Sequence, residues 1–134
     1  MKVMNNDTIQ KINFFENITH AKVKDILDDD KLIVIVENGE LRKALGKNNA
    51  NLNKIERLFR KKLRIIEYDD DPVKFIKHYT YPLKIDEVTL NNNILEIRVT
   101  DRTVKGLLIG REGRNLNKLN SLMKDYFNLE IKIL

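Results

Sequence analysis

The chain contains no cysteine and no tryptophan, a single serine, two histidines and two prolines. The missing cysteine excludes disulfides, thiolate metal sites and cysteine nucleophiles. It suits a reducing compartment, and a cytoplasmic location is expected. A Ser-His-acid triad would have to be built on Ser121, which falls on the polar face of a helical pattern between basic residues. His20 and His78 are far apart in sequence and have no cysteine to join, so no zinc site is expected. The aspartate runs Asp28 to Asp30 and Asp69 to Asp71 read as a hairpin turn and a helix cap rather than as metal ligands. With no Walker-type turn either, the expectation is a non-enzymatic protein with no catalytic residue, metal, cofactor or small-molecule substrate. Long hydrophobic runs are absent too. The longest purely aliphatic run, Leu32 to Val36, is strand length and too short to cross a bilayer. The start, Met1 to Thr8, lacks the apolar core of a signal peptide, so no membrane association is expected.

What is present is the composition of a folded domain: 42% hydrophobic and 34% charged residues in a chain of 134. That length accommodates one ordinary domain or two small ones with thin cores. The net charge is +5, from 25 Lys and Arg against 20 Asp and Glu. The excess is spread, at +2 over residues 1–70 and +3 over residues 71–134. An anionic partner is favoured, provided that the cations cluster on one face.

The chain repeats itself at an offset of 64 residues. Gly46, Asn51, Leu52, Asn53, Lys54 and Leu58 recur as Gly110, Asn115, Leu116, Asn117, Lys118 and Leu122, six identities in 14 positions. The flanking patterns recur as well. Each copy opens on a helix, Asp7 to Glu16 in one and the Asp71-Pro72 start in the other, where Asp caps and Pro takes the first helical position. A hairpin follows: Lys22 to Leu27 with Leu32 to Val36, and Lys84 to Leu90 with Ile94 to Val99. Short helices, Gly39 to Leu45 and Arg102 to Ile109, then run into the two glycine turns. Longer helices leave those turns, with Leu52, Ile55, Leu58 and Phe59 on one apolar face and Leu116, Leu119, Leu122, Met123 and Tyr126 on the other. The final strands are Leu63 to Tyr68 and Leu129 to Leu134, the second preceded by about two extra residues. The expectation is therefore an α/β (α+β) protein of two units, 1–70 and 71–134, each a small sheet covered by helices.

The turns carry the chemistry. In Gly110-Arg111-Glu112-Gly113 the glycines let a ligand approach bare backbone, and the helix that begins there offers unpaired N–H groups and a partial positive charge. Arg111, Arg114 and Lys118 add mobile cations. A Gly-x-x-Gly turn is short and common, and its plain reading is the end of one helix and the start of the next. The repeated frame and the basic residues favour a phosphate-backbone clamp of the KH kind, which holds about four nucleotides of a single strand. In the first copy, Gly46-Lys47-Asn48-Asn49 lacks the closing glycine. Asn tolerates positive φ, so the turn's shape is expected to survive, but the Asn side chain crowds an incoming backbone. Whether that copy, with Lys54 beyond it, binds directly stays open.

At these residues the chain resembles archaeal NusA-like transcription factors. The resemblance spans about residues 5–134 and is most specific at Gly110 to Leu116 and at Glu67 to Pro72. It implies two tandem type II KH domains and little else, without the polymerase-binding and S1 domains of bacterial NusA. It further implies binding of single-stranded RNA in transcription elongation or termination. The implied contacts are Gly110, Arg111, Glu112 and Gly113, and Gly46, Lys47, Asn48 and Asn49. The family pattern favours Gly where this chain has Asn48 or Asn49. A rival reading makes the pair a protein-interaction module docking on RNA polymerase or the ribosome with minor RNA contact. A third, a ribosome-assembly KH protein, differs only in the RNA bound.

Overall fold

The computed structural model describes residues 5–134. They form two compact units that meet in sequence between Asp70 and Asp71. In the first unit, α1 (Asn6–Thr19) precedes β1 (Val23–Asp28), β2 (Leu32–Val36), α2 (Leu41–Leu45), α3 (Ala50–Phe59) and β3 (Leu63–Glu67). In the second, α4 (Pro72–Thr80) precedes β4 (Glu87–Asn91), β5 (Ile94–Arg98), α5 (Arg102–Ile109), α6 (Arg114–Phe127) and β6 (Glu130–Ile133). Each unit is a mixed α/β structure with one three-stranded sheet. The second strand is central in each, antiparallel to the strand before it and parallel to the strand after it. The parallel pairing follows from the connection: two short helices carry the chain back over the sheet before the last strand.

Local chemistry sets the helix ends. Asn5, not Asp7, caps α1, with its Oδ1 accepting from Thr8 N at 2.8 Å. The helix runs on past Glu16 until His20, in the left-handed region, closes it. Asp71 caps α4 by accepting from Val73 N at 2.9 Å, with Pro72 at the first helical position. Asp101 caps α5 by accepting from Thr103 N and Val104 N.

The hairpins differ in their turns. Asp28 pairs with Leu32 across a three-residue loop, whereas Asn91 pairs with Ile94 across Asn92 and Asn93. Asp28 is structural: its carboxylate takes the ammonium groups of Lys11 on α1 and Lys61 beyond α3. β4 begins at Glu87, three residues later than Lys84. Asp86 instead uses its carboxylate to accept from Thr100 N and Oγ1, pinning the hairpin's open end.

In the first unit the core joins Phe15, Ala44 and Ile55 of the three helices to Ile26, Leu32, Val34, Val36 and Leu63 of the sheet. Leu95, Ile97 and Val99 are buried in the second unit, as their alternation predicts, together with Phe75, Ile76, Leu108, Leu119, Leu122 and Met123. Leu58 departs from its predicted place: it is exposed, although its repeat partner Leu122 is buried. The helix after the turn has 10 residues in the first unit and 14 in the second. The repeat therefore breaks by one full helical turn in α6. Among the described residues, no helix is long and apolar enough to cross a membrane.

Candidate nucleic-acid interface

Each glycine turn sits between two helices at one end of its unit. α5 ends where Gly110, at φ 77° and ψ 172°, donates its N–H to Gly106 O at 2.8 Å. Glu112 and Gly113 then take successive left-handed conformations, at φ 57° and 72°, and α6 starts at Arg114. The first unit repeats this path closely. Gly46 lies at φ 77° and ψ 170°, followed by Asn48 at φ 55° and Asn49 at φ 59°. The turn's shape thus survives the loss of the closing glycine, because Asn accepts the left-handed region that most side chains avoid.

Only the opening glycine is required by packing. A Cβ on Gly110 would stand 2.7 Å from the side chain of Asn115, and one on Gly46 would stand 2.9 Å from that of Asn51. These asparagines brace the turns. Asn115 Nδ2 donates to Leu107 O at 2.9 Å, and Asn51 Nδ2 donates to Lys43 O at 3.2 Å. Each ties the first turn of the outgoing helix to the last turn of the incoming one. Their identity in the repeat was visible in the sequence, but the brace was not. A Cβ on Gly113 would meet nothing nearer than Asn117 Nδ2 at 4.0 Å. That position opens to solvent, and the exposed Asn49 fills its counterpart.

The ends of α3 and α6 at the turns carry no side-chain cap, so their dipoles face outward without a competing side-chain acceptor. Arg111, Glu112 and Arg114 are exposed around one turn, and Lys47, Asn48 and Asn49 around the other. Lys118 and Lys54 stand apart from these. Lys118 precedes Leu122 by one helical turn, on the flank of α6 away from Asn117 and Asn120, and is half-buried; Lys54 precedes Leu58 by one turn and is exposed.

Sequence patterning missed the surface that continues from the turn. A groove of about 470 Å³ runs between α6 and the edge strand β6, lined by Asn117, Asn120, Ser121, Lys124, Leu129, Glu130 and Ile131. Asn117 links it to Gly113. Asn120 Oδ1 accepts from Ile131 N at 2.8 Å, fixing helix to strand. In the first unit Glu56, at the same repeat position, accepts from Leu63 N at 2.9 Å. The shared role was hidden because the two side chains differ in charge. The groove is polar along the helix, its strand side carries the exposed Glu130 carboxylate between Leu129 and Ile131, and an exposed Lys124 stands on it. It can receive a flat polar ring while the turn holds an anion.

Asp69 and Tyr68, at the end of the first unit, have local roles. Asp69 Oδ2 accepts from Asn38 Nδ2 at 3.5 Å, and Tyr68 lies beneath the Lys24 ammonium, 4.2 Å from its ring centroid. Desolvation, then the negative charge of Asp70, pushes the Tyr68 phenol above its ordinary range. Among the described residues, no group of three or more His, Cys, Asp or Glu is placed to hold a metal ion.

No protein-family model matches the chain. Curated relatives do. A protein of Methanocaldococcus jannaschii named "Probable transcription termination protein NusA" is 31% identical over 133 residues, covering 96% of this chain and 73% of that protein. A protein of the same name from Methanococcus vannielii is 32% identical over 120 residues, covering 86% and 69%. One from Halococcus morrhuae is 28% identical over 134 residues, covering 97% and 96%. A solved structure, "Crystal structure of APE1850", superposes with a TM-score of 0.73 over 98% of this chain and 100% of its own, at 23% identity, which supports the fold alone. By its likeness to these relatives along almost its whole length, the chain belongs to the archaeal NusA family of probable transcription termination proteins.

Proposed function

We propose that the protein binds single-stranded RNA through two tandem type II KH domains, residues 1–70 and 71–134, and acts without enzymatic activity in transcription elongation or termination. One observation carries this reading. The glycine turn occurs twice in nearly the same backbone conformation, braced each time by an Asn side chain, at the head of a helix with no side-chain cap. Structural punctuation alone does not call for that much agreement.

The second domain is the stronger binder. Gly113 lets a sugar-phosphate chain approach, Arg111 and Arg114 attract it, and the next bases enter the groove beside Asn117, Asn120 and Lys124. Glu112 projects from the same turn as an exposed carboxylate and limits how much phosphate charge accumulates there. The first domain keeps the turn's shape, but Asn49 stands where the ligand backbone would pass. The relatives' name supports the place in transcription. RNA polymerase is the macromolecular partner that this role implies.

The test is fluorescence anisotropy of the full chain with labelled single-stranded oligoribonucleotides. Gly113→Asp is expected to weaken binding at least about tenfold, through the repulsion of one phosphate and the loss of close approach. Unchanged affinity, with the fold intact by circular dichroism, would overturn the assignment of the turn.

A further inference from the structure

The two units treat corresponding side chains differently. Thr19 and Thr80 donate their hydroxyls to the carbonyls four residues back, those of Phe15 and Ile76, so Phe14 and Phe75 occupy the same place in their helices. Phe75 is fully buried, yet Phe14 is 41% exposed. Leu122 is 2% exposed, while its repeat partner Leu58 is 55% exposed.

The extra turn of α6 accounts for the contrast. It carries Tyr126 and Phe127, whose ring centroids lie 5.7 and 5.9 Å from that of Phe75. α3 stops at Phe59, because Arg60 turns left-handed there. The Phe59 ring reaches Phe14 at 5.7 Å but leaves an open apolar groove of about 310 Å³. Asp7, Gln10, Lys11, Phe14, Leu58 and Phe59 line it.

The surrounding charge has a sign. From Lys54 to Lys62 the chain carries five cations, Lys54, Arg57, Arg60, Lys61 and Lys62, against Glu56 within the segment and Asp28, which takes Lys61. Glu56 is engaged with Leu63 N and points to the other flank of α3, since residues two apart on a helix face nearly opposite ways. Lys54 stands one turn before Leu58 on the groove's side. The groove's own carboxylate, Asp7, is already paired with Lys11.

We propose that this groove docks an acidic helical segment of a protein partner, whose aromatic side chain fills in trans the place that Tyr126 and Phe127 fill within the second unit. The second unit shows which chemistry closes this position in this fold, an aromatic helical turn. The basic rim selects a carboxylate-bearing version of it. A second copy of the chain is disfavoured, because its aromatic turn is already engaged with its own Phe75. The groove lies on the opposite flank of α3 from Glu56 and β3, so it is separate from the RNA surface proposed above.

The test uses NMR on the isotopically labelled full chain. The probe is a blocked synthetic peptide of residues 118–129 of this chain with Lys118→Glu and Lys124→Glu, an acidic version of the aromatic turn. Saturable shifts of the Phe14 and Phe59 rings and Leu58 methyls are expected, with a dissociation constant below about 1 mM. They should vanish when the peptide carries Ala at both aromatic positions, and weaken at least fivefold in the Leu58→Glu chain. Leu58→Gln, which adds no charge, should weaken them in the same direction. Both variants should keep the RNA affinity of the parent, since Leu58 is exposed and off the RNA surface. The proposal fails if no shifts occur at 1 mM peptide. It fails equally if those three residues respond instead to a single-stranded oligoribonucleotide, or to dilution of the protein alone.

Discussion

Asn115 holds the carbonyl of Leu107 from eight residues away, Nδ2 to O at 2.9 Å, and so fixes the angle at which α5 hands over to α6. The same side chain is what a Cβ on Gly110 would strike at 2.7 Å. Brace and glycine therefore form one device: the turn is narrow because the amide crosses it, and the residue beneath the amide must lack a side chain. Asn115→Ala is expected to cost about 1 kcal/mol for the lost hydrogen bond, which lowers the melting temperature of a domain this size by about 4–8 °C. RNA affinity should fall about fivefold if the clamp slackens by the same free energy. Calorimetry and anisotropy on one preparation check both figures. An affinity loss with no change in stability would mean that Asn115 touches the ligand itself.

The two glycines of that turn are expected to respond unequally. At Gly113, Ala meets open space and suffers only the left-handed backbone, about 1–2 kcal/mol. At Gly110, where φ 77° and ψ 172° lie in a region that essentially only glycine adopts, a larger backbone penalty comes with a contact that Asn115 must move to relieve. Gly110→Ala should therefore melt lower than Gly113→Ala, while Gly113→Ala retains the brace. The opposite order in thermal denaturation would show that the turn is held by something other than the Asn115 bridge.

Restoring the glycine in the first unit tests the asymmetry from the other side. Asn49 already adopts φ 59°, so Asn49→Gly asks for no change of backbone. It should leave stability within about 1 kcal/mol and raise affinity for a long single strand that spans both units. Asn49→Asp should lower it. An oligoribonucleotide too short to reach both units should be unaffected by Asn49→Gly when its site is the second turn. Equal affinities for all three chains on the long strand would remove the first turn from the binding surface.

How far these features could be read from sequence depended on the distance over which their causes act. The cap at Asp71, the bounds of β2 and the span Arg102–Ile109 were legible, because caps, glycines and aliphatic runs are local. β4 was placed too early because Ile85 extends the β-rich run back towards Lys84, while the strand's start depends on Asp86 reaching Thr100. Leu58 looked like core because helical spacing gives a face, not what covers it; the cover in the other unit comes from the longer helix. Asn120 was not singled out because its role depends on Ile131, eleven residues on.

The arginines of the second turn should show in the salt dependence. Each phosphate neutralised on a single strand contributes about 0.7 to the slope of log K against log salt. Arg111→Ala and Arg114→Ala are each expected to reduce that slope by about this amount and to weaken binding alike across sequences. Lys118→Ala, on the other flank of α6, should change the slope less. A titration series in which Lys118 matters most would place the RNA along the Leu122 side of the helix instead.

Asp28 links stability to pH. The Lys11 ammonium, and then that of Lys61, holds its carboxyl below the usual range, and Asp28, followed by Asp7, holds the Lys11 ammonium above its own. A carboxyl depressed by folding stabilises the protein fully above its unfolded value of about 3.9, and that contribution fades as pH falls through the lower folded value. A raised lysine contributes fully below its unfolded value of about 10.4 and is lost only as pH climbs past the folded one. The pairs are partly open to solvent, so each contributes at most about 1 kcal/mol. Asp28→Asn should therefore melt a few degrees below the parent at pH 7, and the two should converge as pH drops towards 2. Melting curves at both pH values decide it. A gap that persists in acid would mean that Asp28 acts through its hairpin turn rather than through its charge.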